Sequence, residues 1–366
     1  MLNKESQKCI DIIKKVNKLI KLDFIQSDDC VFDDQFKIVK KLWSECAISG
    51  ERAVVNGEEA REILMQNLDS PFISNRVKKV VGEMEQCSKF KEEGIEVYWY
   101  GNSWKRYGDA VLKRLIVTKK LISADHPGVI VVIAPTKMKK SVGFDQGDQI
   151  GIDKVNSGSS LIYHNDISYI FLWREEELEK VAVHEMIHAL SGDRELYLNN
   201  MIDCAVYKWL KIGKRMINVN ETFTEVTADV LHAMYIGCEV GRGFYLFLQV
   251  ERGFSLVQAA KLLKQLGYEG FDQLERDGLR GGEQFEQKTN TVAYYILRAG
   301  VMYLFNDYCQ MVSGWGTPWI FPKGDDQKRN FLELIMRGCK EMDLSELIKR
   351  ISHKSMRMTC LELKRV

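Results

Sequence analysis

The sequence lacks the features that mark several large classes of protein. Its nine cysteines include no CxxC pair, which excludes zinc ribbons and thioredoxin-type redox motifs. Its longest purely apolar run, VIVVIAP, is far shorter than a membrane span. Basic and acidic side chains are nearly equal in number, 52 against 51, so the chain as a whole is not predicted to bind nucleic acid.

Several nucleotide, hydrolase and calcium motifs are also missing. KIGKR lacks the upstream glycine and the Ser or Thr of a phosphate-binding P-loop, no GxGxxG follows a strand, and there is no GxSxG. Residues 139–160 carry spaced aspartates without the EF-hand spacing, so a solvated loop is predicted there. With 5 prolines in 366 residues, few breaks are forced on helices.

The cysteines and the first residues predict a compartment. An odd number of scattered cysteines in a chain of this size fits reduced thiols in a cytosol-like environment. Lysines interrupt residues 1–22 every few positions, which predicts an amphipathic helix and not a signal peptide. We therefore expect a cytoplasmic protein, or a virion component if the chain is viral. The basic residues 347–366 are predicted to form the solvated face of a terminal helix.

The hydrophobic period divides the chain into two predicted parts. Residues 1–94 show helical spacing, and this N-terminal helical region is expected to pack against the rest or to bind a protein partner. Residues 95–366 are predicted to form an α+β domain with a helical C-terminal half. Its predicted strands are rich in Ile, Val and Tyr and lie at 95–101, 112–122, 128–135 and within 160–174. Its strongest predicted helices are 195–212, 219–237, 255–266, 286–312, 327–341 and 343–352.

The stretch VAVHEMIHAL, residues 181–190, carries the most specific chemical signal. On a helix, His184 and His188 lie on the same face, so both imidazoles can reach one ion. Glu185 is rotated by about one position around the helix and can reach a water on that ion without ligating it. Two ordinary core histidines are the alternative. Three ionisable groups within an apolar helix would be costly without partners, which favours a metal site.

A catalytic zinc needs a third protein ligand. The HExxHxxGxxH pattern would require glycine and histidine where this sequence has Ser191 and Arg194, so that class is excluded. The other histidines are also poor candidates. His232 would lie roughly 16 Å along a helix from Glu221, the acidic residue described next, too far to share its ion.

The best candidate for the third ligand lies in NVNETFTEVTADVLHAMY, where Asn220 is predicted to cap a helix. Glu221 and Glu225 are four residues apart on one face. One can ligate while the other orients a ligand imidazole. Because Glu225 and Asp229 form a second pair at the same spacing, the pattern leaves either Glu221 or Glu225 as the ligand.

HEMIH followed by NETFTE resembles the gluzincin metallopeptidases, the thermolysin-like and lethal-factor-like clan of zincins. The resemblance implies one zinc ion held by His184, His188 and Glu221, with Glu185 as general base and Glu225 behind the ligands. It implies an α+β zincin-like fold, a small twisted sheet over the HExxH helix. Its edge strand, expected at ISYIFLWR, would bind substrate as an added strand. NSGSS and WREEELEKV before HEMIH resemble predicted metallopeptidases of large DNA viruses.

The function implied is hydrolysis of peptide bonds in a protein or peptide substrate by a zinc-bound water that Glu185 activates. Tyr294 and Tyr295, with Arg298 nearby, are candidates for the group that stabilises the oxyanion. Two other functions stay open. One is a catalytically silent zincin-fold protein with a structural or interaction role, against which the intact Glu185 argues. The other is a zinc hydrolase acting on a non-peptide amide.

Overall fold

A computed structural model of the chain describes residues 2–16, 22–25, 31–50, 52–141, 150–162, 167–197, 200–211, 217–278, 289–352 and 354–365. Within these ranges the protein is a mixed α+β structure built on one six-stranded sheet. This confirms the predicted α+β class. The strands are β1 (Ala53–Val54), β2 (Cys87–Glu92), β3 (Ile95–Tyr100), β4 (Gly128–Thr136), β5 (Gly158–Ile162) and β6 (Ile167–Arg174).

The structure describes ten helices in the first two thirds of the chain. They are α1 (Lys4–Val16), α2 (Val31–Glu45), α3 (Gly57–Leu68), α4 (Asn75–Gly82), α5 (Trp104–Ile122), α6 (Ile152–Val155), α7 (Leu178–Ala189), α8 (Arg194–Tyr197), α9 (Asn200–Trp209) and α10 (Asn220–Val240). The remaining helices are α11 (Tyr245–Gln265), α12 (Phe271–Asp277), a π-helical turn (Ala293–Leu297), α13 (Arg298–Tyr303), α14 (Phe305–Ser313), α15 (Asp325–Glu341) and α16 (Ser345–Arg350).

The strand order is β1-β2-β3-β4-β6-β5. The central pairs β3–β4 and β4–β6 are parallel, whereas β1–β2, β2–β3 and β5–β6 are antiparallel. Parallel neighbours need a crossover connection, and α5 supplies it between β3 and β4. Strand β6 is therefore central, and β5 and β1 are the two edges.

The predicted strand at 112–122 is wrong, because these residues lie in α5. Their Ile and Val content is typical of a strand. The buried residues nevertheless follow helical spacing, with Val111 and Leu115 on one row and Leu112 and Ile116 on the next. Packing of this apolar face against the sheet outweighs the intrinsic preference of β-branched residues.

The predicted helical character of residues 74–90 holds only for its first half. Helix α4 ends at Gly82, and β2 begins at Cys87. Strand β2 pairs with β3 along its whole length, so the predicted boundary at residue 94 lies in the turn of a hairpin. Glu93 and Gly94 both adopt positive φ in that turn. Residues 87–92 thus belong with the sheet that follows them.

The two faces of the sheet are covered differently. Ile170 and Leu172 of β6 point into the main core with α5 and α7. Phe171 and Trp173, at the alternate positions, pack in a smaller core under α3 and α4. Because side chains of a strand alternate between faces, this pattern assigns a face to every residue of β6 and of its neighbour β5.

The N-terminal helices pack against the body of the protein. Helix α1 contacts α11, and α2 contacts α5, α10 and α14. Phe32 of α2 stacks with Phe305 and Tyr308, which anchors α2 to the C-terminal half. Parts of several predicted segments lie outside the described residues, among them 142–149 of the loop, 163–166 within 160–174, 198–199 of the helix at 195–212, and 286–288 of the helix at 286–312.

The last residues do not form the predicted solvated helix face. Helix α16 ends at Arg350, and residues 354–365 run through the interior, where Met356 and Met358 are buried. The basic Arg357 is only 2% exposed and pairs with Glu362. Its charge is compensated inside the protein, which a local charge pattern cannot reveal.

The structure bears on two features from which the cellular compartment was predicted, the absence of a membrane span and the state of the cysteines. Among the described helices, none combines the length and the apolar character needed to cross a bilayer. The cysteines whose side chains the structure describes are all free thiols, namely Cys46, Cys87, Cys204, Cys238, Cys309, Cys339 and Cys360. The cytoplasmic location stays a prediction.

Candidate metal centre

Helices α7 and α10 bring His184, His188 and Glu221 together. The Nε2 atoms of the two histidines are 3.1 Å apart. Oε2 of Glu221 lies 3.1 Å from Nε2 of His188 and 3.4 Å from Nε2 of His184. In a tetrahedral zinc site with bonds of about 2.0–2.2 Å, neighbouring ligand atoms lie roughly 3.3–3.5 Å apart. The three atoms therefore form a triangle of about the size that one zinc ion requires.

The second nitrogen of each imidazole faces a carboxylate. Nδ1 of His184 lies 2.8 Å from Oε1 of Glu225, and Nδ1 of His188 lies 2.8 Å from Oδ2 of Asp193. A carboxylate at Nδ1 keeps the proton there and leaves the Nε2 lone pair for a metal. The pair at His188 is held further by Asn220, whose side chain donates to Asp193 over 2.7 Å.

This arrangement corrects the prediction for Asn220. The residue lies inside the first turn of α10 and makes no capping hydrogen bond, because the cap position is Val219. The side chain instead fixes Asp193, and through it the orientation of His188. Asp193 was not predicted from the sequence. It follows His188 by five residues, in a short turn where Ser191 has positive φ. No helical period relates the two residues.

Glu221 is held by a residue far away in sequence. Nδ2 of Asn290 donates to Oε1 of Glu221 over 3.2 Å, which leaves Oε2 facing the imidazoles. Asn290 is fixed in turn, because its Oδ1 accepts the backbone N–H of Asn218 over 3.1 Å. Because Asn290 and Glu221 are 69 positions apart, the sequence gives no signal that their side chains are in contact.

The pKa values show how strongly this site attracts positive charge. Burial would raise the pKa of Glu221, but the two imidazoles outweigh burial and lower it to about 2. Burial would lower the pKa of His188, but Asp193 and Glu221 raise it well above its usual value. The pKa of His184 is raised in the same way by Glu225 and Glu221, against the effect of burial.

Glu185, the predicted base, packs against the edge strand β5. A Cβ placed on Gly158 would lie 2.7 Å from both Cγ and Oε1 of Glu185, so a larger residue there would displace the carboxylate. Burial raises the pKa of Glu185, while the two imidazoles and a hydrogen bond with Ser160 lower it in part. Gly158 and Ser160 are alternate residues of β5, so both face α7.

The position of β5 corrects the predicted edge strand. ISYIFLWR forms β6, which is paired on both sides, with β4 and with β5. The edge beside α7 is β5, with sequence GSSLI. Its five residues include a glycine and two serines, which are poor signals for a strand. Within the described sheet, the edge strand next to Glu185 is therefore β5 and not β6.

The two candidate tyrosines point in different directions. The ring of Tyr294 lies 6.2 Å from that of His184, and burial together with Glu221 and Glu185 raises its pKa well above the usual value. Tyr295 is fully buried and donates its hydroxyl to the carbonyl of Met356 over 2.6 Å. Tyr294 thus lies beside the triad, whereas the hydroxyl of Tyr295 is engaged by the backbone of Met356. Both residues belong to the π-helical turn, a feature common at functional sites.

Behind the triad lies a buried network of charges between α7, α10 and α13. Glu225 pairs with Lys180 and, over 3.0 Å, with Nη1 of Arg298. Asp229 lies 3.6 Å from Lys180 and 3.3 Å from Arg298. Arg298 therefore anchors the network and does not face the triad. His232, further along α10, donates from Nε2 to the carbonyl of Leu361 over 2.7 Å.

The donor set fits a divalent cation. Among the groups that the structure describes, the triad is the cluster of His, Cys, Asp or Glu whose ligand atoms lie close enough to hold one ion. Within the described residues, neither Glu221 nor Asp193 forms an ion pair with Lys or Arg. Two imidazoles and one carboxylate match the ligands zinc takes in catalytic sites, where three protein ligands leave one position open. As metal ligands the three residues stay a prediction.

Comparison with known proteins gives little further information. No protein-family model matches the chain, and no solved structure matches it. The chain is similar to "Uncharacterized protein R210" of Acanthamoeba polyphaga mimivirus, with 26% identity over 149 residues. The match covers 38% of this chain and 37% of that protein, so the chain spans little more than one third of its relative.

Proposed function

We propose that the protein is a zinc-dependent metallopeptidase with a zincin-like fold of the gluzincin kind. The observation that carries the proposal is the triangle formed by His184, His188 and Glu221. Glu185 lies on α7 with the two histidines. The triangle has about the size of a zinc site, and each histidine has a carboxylate at its other nitrogen. A protein core that only provided hydrogen-bond partners for two buried histidines would not need three ligand atoms that converge on one point.

A carboxylate that does not bind the metal separates a catalytic site from a structural one. Glu185 is buried, and its pKa is raised chiefly by that burial. A carboxylate with a raised pKa is a better proton carrier near neutral pH. Gly158 and Ser160 hold it from the strand side. A site that only stabilised the fold would not need this group.

The free edge of β5 favours a peptide over another amide. Among the described residues the strand pairs with β6 on one side and with no strand on the other, so its outward N–H and C=O groups would pair with an extended peptide. Since Gly158 contacts Glu185, a peptide bound along this edge would place its backbone beside the base. A small non-peptide amide would leave most of these groups unused.

The residues of this chain would divide the reaction between them. When bound, zinc would supply a Lewis acid that polarises the scissile carbonyl and lowers the pKa of water. Glu185 would take up a proton at its carboxylate and return it to the nitrogen of the leaving amine. The β5 edge would orient the peptide, and Tyr294, whose ring lies 6.2 Å from that of His184, would donate to the developing oxyanion.

The test combines metal content with proteolysis. Zinc is measured by mass spectrometry on wild type, Glu221→Ala, Glu225→Ala and the matched control Glu333→Ala, which changes an exposed glutamate of α15. Casein cleavage is measured on wild type and Glu185→Gln. We expect about one zinc per wild-type chain, loss of it in Glu221→Ala, and retention in the control. Glu185→Gln should keep zinc and lose cleavage by roughly 10²–10⁴-fold.

Two results would contradict the proposal. A wild type that purifies without metal and cannot be reconstituted would make HEMIH a buried structural helix. Cleavage that survives in Glu185→Gln would remove the proposed base. If Glu225→Ala empties the site and Glu221→Ala does not, the third ligand lies one helical turn further along α10.

A further inference from the structure

A cavity of about 1000 Å³ lies on the side of the sheet away from α7. Its walls are the C-terminal end of α3, one side of α4, and the start of β6. Apolar side chains from Met65, Leu68, Ile167 and Tyr169 line it. None of these residues takes part in the metal centre.

The lining of the cavity continues to the free edge of the sheet. Leu161 of β5 is the cross-strand partner of Tyr169, so the two side chains lie side by side on one face. Leu161 is 44% exposed, Ile167 is 37% exposed and Met65 is 53% exposed. Met65 and Ile167 line the cavity and Leu161 lies next to its residue Tyr169, so exposed apolar side chains extend from the cavity to the edge strand and form a surface suited to an apolar ligand.

Strand β5 therefore has a different role on each face. Gly158 and Ser160 face α7 and hold Glu185. Ser159 and Leu161 face the opposite way, because they pair with Phe171 and Tyr169 of the outer face. A peptide added to the β5 edge would alternate in the same way, with every second side chain on the cavity side.

We propose that this cavity is a specificity site for large apolar side chains of the substrate. The inference rests on the proposed peptidase function and deepens it. Leu161 is three residues from Gly158, which contacts Glu185. A substrate side chain that enters the cavity would therefore lie about 10 Å along the strand from the scissile bond. The preferred substrate is an extended segment with Leu, Phe or Met about three residues from the cleaved bond, on one side of it.

The charges around the cavity argue for an apolar side chain and against a charged one. The lining includes two basic residues, Lys78 and Lys79, and two acidic residues, Asp69 and Glu83. Since both signs are present in equal number, the rim gives no net attraction to a charged side chain. Burial of apolar surface against Met65, Ile167 and Tyr169 then decides the preference.

The experiment measures cleavage of a peptide library by mass spectrometry, with zinc content measured on the same samples. Met65→Ser combined with Ile167→Ser removes apolar lining, and Met65→Trp fills the cavity from an exposed position. Val54→Ser is the matched control, because Val54 is 87% exposed on the other edge strand. In wild type we expect cleavage about three residues from Leu, Phe or Met, on one side only.

Both lining variants should lower kcat/KM about tenfold for peptides with an apolar residue at that position. They should leave peptides with alanine there unchanged, and Val54→Ser should match wild type. Cleavage with no preference at this distance, or a preference that neither variant alters, would overturn the specificity site and leave the peptidase in place. A wild type that binds zinc and cleaves no peptide would overturn both proposals.

Discussion

Two buried clusters of charge lie between helices α7 and α10, and they are neutralised in different ways. In the first, Glu225 and Asp229 face Lys180 and Arg298, so the protein supplies its own cations. In the second, one turn earlier on α10, Glu221 faces the Nε2 atoms of two histidines. Among the described residues, no Lys or Arg pairs with Glu221.

The comparison shows what an external cation would replace. Buried carboxylates are retained only with a partner of opposite charge. At the first cluster that partner is part of the chain. At the second, the imidazoles can carry protons, and their raised pKa values show that the site favours positive charge there. A divalent ion would meet the same demand without protons. Substitutions that change each cluster separately test whether the two clusters are neutralised in these different ways.

The largest effect on stability should follow loss of a cation from the first cluster. Arg298→Met leaves Lys180 as the one cation of Lys or Arg type that faces Glu225 and Asp229 among the described residues, while Glu225 keeps its contact with Nδ1 of His184. Breaking a buried ion pair from one side costs about 3–5 kcal/mol, so the free energy of unfolding should fall by that amount in urea titrations. The matched control is Arg337→Met, whose pair with Asp307 is half exposed. It should cost about 1 kcal/mol or less. Equal losses would mean that the first cluster is not held by its charges.

The next effect concerns His232, a buried group on α10 that belongs to neither cluster. Burial, helped by Arg114, lowers its pKa from 6.5 to about 4. Between these pH values the unfolded chain binds the proton and the folded chain does not, so stability falls as pH falls from 6.5 to 4. The expected loss is about 3 kcal/mol. Denaturant titrations of wild type and His232→Gln across this range should differ in slope. Parallel curves would show that His232 is not buried as a neutral group.

The smallest effect is on metal affinity and involves no metal ligand. Asp193→Asn keeps the shape of the residue but removes the charge that faces Nδ1 of His188. Losing such a carboxylate typically weakens metal binding about 10–100-fold. Zinc Kd, measured by competition with a chelating dye, should rise by that factor while the urea midpoint of the metal-free chain changes little. Asp307→Asn, on the exposed pair with Arg337, is the control, and an unchanged Kd in Asp193→Asn would separate Asp193 from the site.

The cluster of His184, His188 and Glu221 was accessible from the sequence because it depends on local helical geometry. His184 and His188 share a helix, and their spacing fixes the face they occupy. The pairing with Glu221 required only a second helix with an acidic residue near its start. The groups that orient the ligands were not accessible in this way. Asp193 sits in an irregular turn, and Asn290 reaches Glu221 only through the tertiary fold.

The fold was predicted as a class but not in its connections. The central strands β3, β4 and β6 were recognised by their Ile, Val and aromatic content. Helix α5 was taken for a strand because the same residue types line its buried face. Strand β5 was not recognised as the edge strand because glycine and serine have a low preference for strands. These residues are instead suited to close packing against Glu185.

The most direct test is anomalous diffraction at the zinc absorption edge, on crystals of the full chain grown with one equivalent of zinc. We expect a single strong peak about 2.0–2.2 Å from Nε2 of His184, Nε2 of His188 and a carboxylate oxygen of Glu221. Such a peak would show that the second cluster is completed by a cation from outside the chain. The absence of a peak there, or a peak ligated by Glu225 in place of Glu221, would contradict the assignment.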